Sequence, residues 1–312
     1  MNFEHEATKL DFVKHRKKFF LFSAALLTVG IILLSTIGLN LGIDFSSGTT
    51  MDVLAEDTVT EEEIAEEFAS VGLTPDDIIL AGDNNDVGRA SFIGVLSQSE
   101  VLEAQRHFED VYGNTPTVSS VTPIVGEELA RNALISVLIA TVGIIIYVSI
   151  RFEFWYGIAA IIALFHDALF ILTFFSIIQM EVNIPFIAAV LTIIGYSIND
   201  TIVTFDRIRE NMKLEKKVRG FEDLARIVNK SLVQTLARSI NTVLTVVFAA
   251  GALLIFGGEG IRTFSLALVV GLIAGTYSSL FIAAQLWLTF KTRQLKRARF
   301  KSKQLQESES EA

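Results

Sequence analysis

The stretch IPFIAAVLTIIGYSINDTIVTF at 184–205 runs for 22 residues with a single charged side chain, Asp200. As a helix it reaches about 33 Å, at roughly 1.5 Å per residue, which is enough to cross the hydrocarbon of a bilayer. A carboxylate at that depth is costly to keep, so it points to transport or proton relay. Outward from this stretch, five further apolar runs predict spans at 19–39, 133–150, 154–178, 240–257 and 263–290. The fold class expected is therefore a polytopic α-helical membrane protein with six transmembrane helices.

Composition agrees, with 51% hydrophobic residues among 312 and a mean hydropathy of +0.49. Lysine and arginine collect in cytoplasmic loops near a membrane. Here 21 of the 26 fall before the first run, at Arg151, between 207 and 230, or after 290. In a six-span path these lie on one side, which predicts a multi-pass protein of the plasma membrane with both termini cytoplasmic. The expected divisions are a cytoplasmic segment 1–18, a first span 19–39, a head 40–132, a five-helix bundle 133–290 with a cytoplasmic loop 206–232, and a basic-then-acidic tail 291–312. The first run follows basic residues as a signal peptide would, but its 21 residues exceed a signal core, so it is read as a retained anchor.

The segment 40–132 has the opposite charge, with 19 acidic residues against Arg89, Arg106 and Arg131. It is expected outside the cytoplasm and is a poor match for nucleic acid. Its hydrophobic period predicts strand, helix, strand, strand, helix, strand: strands at 49–54, 77–81, 89–96 and 117–124, with helices opening at Thr60 and Ser97. Thr60 with Glu63 and Ser97 with Glu100 have capping-box spacing. Ile64, Phe68 and Val71 line one helix face; Val101, Ala104, Phe108 and Val111 line the other. This order predicts an α+β ferredoxin-like head between the first and second spans. Its free sheet face is open to two readings, a plain spacer or a weak polypeptide-binding surface.

Ser197, Asp200, Thr201 and Thr204 share one helical face in the fourth span. Arg238, Asn241, Thr242 and Thr245 repeat the spacing in the fifth, which is taken to begin near Leu232. Matching stripes predict Asp200 facing Arg238, either as a fixed salt bridge or as a pair made and broken while a hydroxyl-lined path passes protons. In the third span His166 and Asp167 point about 100° apart. His166 is expected to bond a backbone carbonyl, and Asp167 is open between a second relay group and a helix anchor. Gly271 and Gly275, followed by Ser278 and Ser279, have the spacing of a close helix contact.

Other chemistries lack parts. No GxxxxGK run exists for nucleotide, no HExxH or GxSxG for hydrolysis, and no cysteine at all. No cofactor or metal is expected. An ion gradient remains, at about 2.3 kcal/mol per charge for each 100 mV.

GIDFSSGTT at 42–50, the His166–Asp167 pair, IGYSINDTIVTFDRIREN at 194–211, and Arg238 followed by Ser239 together resemble the SecD/SecF family of the resistance-nodulation-division superfamily, on its SecF side. Gly42, Asp44, Gly48, Gly195, Asn199, Asp206 and Arg207 are the motif positions matched. The resemblance implies a pseudo-symmetric unit with SecD, driven by the proton motive force. It also implies help to the SecYEG channel after the SecA motor, with YajC or YidC as further associates and exported polypeptides as substrates. By motif position Asp200 resembles the family's proton-pathway aspartate and Arg238 its partner. Where the family pattern reads GIDFxGGT, Ser47 replaces the first glycine, and a positive φ there would alter the turn. Two rival readings are a translocon scaffold that moves no protons and an intramembrane aspartyl protease using Asp167 and Asp200.

Overall fold

The computed structural model describes residues 10–82, 84–215, 218 and 220–310. Residues 1–9 of the expected first segment, 216, 217 and 219 of the expected loop, and 311–312 of the tail lie outside the described residues. Among the described residues six helical stretches are long and apolar enough to cross a membrane. They are α1 (Arg16–Thr36), α5 (Pro123–Arg151), α6 (Phe154–Ile178), α7 (Ile184–Leu214), α8 (Phe221–Phe256) and the stretch Gly260–Arg297. Between α1 and α5 lie a short helix α2 (Ile43–Ser46) and β1 (Gly48–Leu54), α3 (Glu61–Ser70), β2 (Asp77–Ala81), β3 (Val87–Ile93), α4 (Gln98–Tyr112) and β4 (Thr117–Val121).

Several helices outrun their apolar cores. α7 continues through Asp206–Leu214 and α8 begins at Phe221, so the expected loop 206–232 shrinks to the few residues between them. Polar bonds hold these extensions together. Arg207 Nε donates to Gln234 Oε1 at 2.7 Å, Asn211 Nδ2 donates to Ser231 and Gln234, and Asp206 pairs with Arg151 and Arg209. α8 thus starts well before Leu232, and Arg238 lies about 26 Å along it rather than near its end. The basic part of the tail is helical too, within α10 (Ala284–Ser310). α9 (Glu259–Ser278) joins α10 through a π-helical turn at Ser279–Ala283, where a regular helix was expected.

In the head the sheet order is β2-β3-β1-β4 with every pair antiparallel, which is the split βαβ arrangement. Both capping boxes form: Thr60 and Ser97 accept from the backbone N–H of Glu63 and Glu100, whose carboxylates reach back. Met51, Val53, Ile64, Phe68, Phe92, Ala104 and Phe108 make the core, each larger side chain contributing about 1.5–3 kcal/mol by burial. Val111, expected inside, is exposed. β3 stops short of residue 96 because Gly94 turns the chain at φ 90°, and β4 stops short of 124 because Pro123 opens α5.

Head and bundle meet at the GIDFSSG segment. Gly42 N–H donates to Val182 O at 2.9 Å, and Val182 N–H to Asn40 O at 2.7 Å. Asp44 Oδ2 accepts the Ile184 N–H at 2.9 Å, on the first turn of α7, where free N–H groups favour a carboxylate. The helix carrying Asp200 is therefore tied directly to the chain entering β1. Ser47 itself takes φ 59°, so the turn is kept with a serine in a glycine conformation. A Cβ on Gly48 would collide with the Phe92 carbonyl oxygen, so that glycine is required by close approach. Ser47→Gly is expected to stabilise the protein by about 1 kcal/mol by relieving the strained φ, read as a higher unfolding midpoint in detergent.

Glu181 packs against Gly42 in the α6–α7 connection. Burial raises its pKa above the ordinary 4.5; Arg89 opposes this and Asp44, Asp77 and Asp52 add to it. Its stabilisation is present below 4.5 and lost as pH rises through the raised value. Glu181→Gln is thus expected to unfold later than the parent at neutral pH, the gap closing below the ordinary carboxylate value. A pH series of thermal melts checks this.

Candidate functional site

Glycines bring the site together. A Cβ on Gly271 would collide with Ile193, and one on Gly275 would stand 3.2 Å from Ser197 Cβ, so both α9 glycines face α7 at close range. The expected close contact is real, and it seats α9 hydroxyls against the stripe of α7.

Asp200 accepts a hydrogen bond from Ser239 Oγ at 2.5 Å through Oδ1, while its Oδ2 is buried without a hydrogen-bond partner among the described residues. Beside it is a cavity of about 10 Å³, lined in part by Tyr196, Ser197, Asp200, Gly275 and Thr276. That is room for about one water. Thr201 Oγ1 lies 2.9 Å from Ser279 Oγ, and the Thr204 hydroxyl is buried without a hydrogen-bond partner among the described residues.

Arg238 does not pair with Asp200. Among the described residues no ion pair within 4.0 Å joins them, and Arg238 is exposed. Neighbours on a helix diverge by about 100°, so only one of Arg238 and Ser239 can face α7, and Ser239, with 0% exposure, does. Arg238 instead lines an open groove of about 450 Å³ with Asp206, Arg207, Glu210 and Gln234. Asn241, Thr242 and Thr245 follow it outward, together with Gly195 and Asn199 of α7. The expected stripe on α8 exists, but it faces away from the bundle.

A second carboxylate lies deeper. Asp167 is 2% exposed, and its Oδ2 accepts from Ser197 Oγ at 2.6 Å and Ser278 Oγ at 2.8 Å. Its Oδ1 lies 3.3 Å from His166 Nδ1. His166 does not bond a backbone carbonyl as expected: its Nε2 lies 3.1 Å from Ser23 Oγ on α1. The two residues turn to different helices as the 100° step requires, yet touch each other. The rival protease geometry is not formed, since Asp167 and Asp200 bond separate hydroxyls and no hydrogen bond joins them among the described residues.

Sequence reasoning missed Ser239 and Ser23 as partners and treated Ser278 and Ser279 only as small packing residues. A serine inside an apolar span was the available signal, but it does not say which way it points. Gln285, 0% exposed with neither side-chain end bonded among the described residues, was missed as well.

Six apolar helices enclosing two carboxylates, with one split-βαβ head after the first, define a polytopic membrane protein with ionisable groups inside its bundle. The family model described as "Protein export membrane protein SecD/SecF, C-terminal" matches residues 102–293, and "SecD/SecF GG Motif" matches 32–59. The chain belongs to the SecD/SecF family, on its SecF side. Protein translocase subunit SecF of Alicyclobacillus acidocaldarius is 42% identical over 93% of this chain and 96% of its own. Protein translocase subunit SecDF of Bacillus subtilis is 55% identical over 93% of this chain but only 39% of its own length. The crystal structure of SecDF from Thermus thermophilus superposes with a TM-score of 0.82 and 35% identity, covering 90% of this chain and 38% of that one. The chain thus spans about two fifths of the SecDF proteins it matches.

Proposed function

We propose that this chain is a SecF-type subunit of the Sec protein translocase that works with SecD on the proton motive force, and that Asp200 takes up and releases the proton. One observation carries the reading: among the described residues Asp200 takes a close hydroxyl bond from Ser239 and leaves its second oxygen buried without a hydrogen-bond partner beside a cavity. A carboxylate meant to stay charged among apolar helices would need more donors or a bonded cation. One free oxygen suits a group that alternates between two protonation states.

The outward polar stripe of Arg238, Asn241, Thr242 and Thr245 supports a second half, because such groups are costly against lipid. The SecDF relatives, of which this chain spans about two fifths, make SecD the fitting occupant. Arg238 then serves at the boundary between halves, with Asn241 and Thr242 beside it. The tie from Asp44 to the start of α7 supports transmission of α7 movement to the head. With the basic ends cytoplasmic, the acidic head faces the exported polypeptide outside, next to the SecYEG channel and beyond the SecA motor, with YajC or YidC as further associates. The chain hydrolyses no nucleotide in this scheme.

The test is export from vesicles holding the chain with a SecD partner and the channel, with and without an imposed pH gradient. Stimulation by the gradient that needs Asp200 is the expected result. Equal stimulation with Asp200→Asn overturns the proton reading and leaves the scaffold.

A further inference from the structure

His166 and Asp167 form a buried ionisable pair that the Asp200 reading leaves without a role. Polar bonds run from it toward α1, and toward α7 as far as Ser197, from which the small cavity leads on to Asp200. Toward α1, His166 Nε2 meets Ser23 Oγ, which meets Tyr277 OH at 3.2 Å, and the Tyr277 ring stacks on the imidazole at 6.0 Å between centroids. Toward α7, Ser197 donates to Asp167 Oδ2 and also lines the cavity against Asp200. Ser279 donates to the Ser197 carbonyl oxygen at 3.2 Å and lies 2.9 Å from Thr201 Oγ1.

The geometry points to a second proton-holding station at His166–Asp167, exchanging protons with Asp200 through Ser197 within this one chain. The inference rests on the proton reading of Asp200 and adds the place to which that proton goes. Ser197 touches both environments. It gives its hydroxyl hydrogen to Asp167 Oδ2 as it takes one from a water in the cavity, which takes the Asp200 proton in turn, so Asp200 becomes a carboxylate while Asp167 becomes a carboxylic acid, and the total charge is unchanged. His166, beside Asp167 Oδ1, can accept that proton in turn and leave an imidazolium against a carboxylate.

Two features favour a station over a fixed knot. Holding helix register needs only neutral hydrogen-bonding groups, whereas here a carboxylate and an imidazole are both withdrawn from water, at 2% and 4% exposure. The π turn also lets adjacent serines serve both sides, Ser278 bonding Asp167 and Ser279 bonding α7, and such turns recur at functional positions. The other titratable group against the pair is Tyr277 from α9, with Asp200 of α7 beyond Ser197 on the cavity side; α1 and the end of α9 bring the hydroxyls of Ser23 and Ser278.

The test is infrared difference spectroscopy between low and high pH, on the full chain reconstituted in vesicles with its SecD partner. Two carboxylic-acid carbonyl bands are expected, one lost in Asp167→Asn and the other in Asp200→Asn. Ser197→Ala, a smaller change that keeps the Asp167 side chain, should move the Asp167 band to higher frequency because its carbonyl loses one of two donors. An Asp167→Asn spectrum identical to the parent, with the Asp200 band intact, overturns the second station and leaves the first. Loss of neither band in the two Asn variants overturns both. If Asp167→Asn does not fold, an unmoved spectrum in Ser197→Ala decides against the station.

Discussion

Export from vesicles carrying Asp200→Asn is expected to lose its response to an imposed pH gradient, falling at least about tenfold below the parent, the equivalent of roughly 1.4 kcal/mol. Asparagine keeps the size of aspartate and can still accept from Ser239, so helix packing should survive. What it cannot do is bind and release a proton. Asp200→Glu keeps that capacity but pushes the carboxyl about one methylene further into a cavity sized for about one water, so it should retain part of the response. Export without a gradient should be nearly alike in all three. Normal assembly with SecD in the Asn variant separates a lost proton site from a lost fold.

The second large effect is steric. Gly271→Leu is expected to destabilise the bundle by about 3 kcal/mol, at the upper end of what overpacking usually costs. A side chain there runs into Ile193, which is 1% exposed, and stands 3.0 Å from Ile171, so neither α6 nor α7 can yield cheaply. Gly251, where an added Cβ meets nothing within 4 Å, provides the control, and Gly251→Leu should change stability by less than about 0.5 kcal/mol. Unfolding in mixed micelles gives both numbers. Because Ser278 of α9 bonds Asp167 on α6, wedging α9 away should also lengthen the Ser278–Asp167 bond and reduce function beyond the stability loss.

How far residues alone lead is set by which physical signals are local. The α6 span at 154–178 is bounded by Glu153 before it and Glu181 just after it, with His166 and Asp167 its only charged or titratable interruptions apart from Tyr156, so its limits can be read from the residues. α7 and α8 run on into DRIREN and into the segment after Gly220, where the apolar run has ended but side chains bond across the hairpin. That support is tertiary, and counting apolar residues stops short of it. The capping boxes of the head are contained within four residues each and were readable for that reason. The partner of Asp200 was not. Arg238 and Ser239 both lie at the right depth, charge favours the arginine, and only the rotation of α8 chooses the serine. The π turn at Ser279–Ala283 has no comparable signal, since its cause is the need to seat two adjacent serines inward among helices distant in sequence. Ser47 marks the opposite case: one departure from a glycine pattern pointed to a positive φ, and the backbone has it.

Proton movement itself is the most direct measure. With a pH-sensitive dye enclosed in vesicles that hold this chain, its SecD partner and the channel, dye-reported proton flow should accompany export in the parent and vanish in Asp200→Asn. Flow at the parental rate through the Asn variant would contradict the account, because the proton would then be crossing by a route that does not involve this carboxylate.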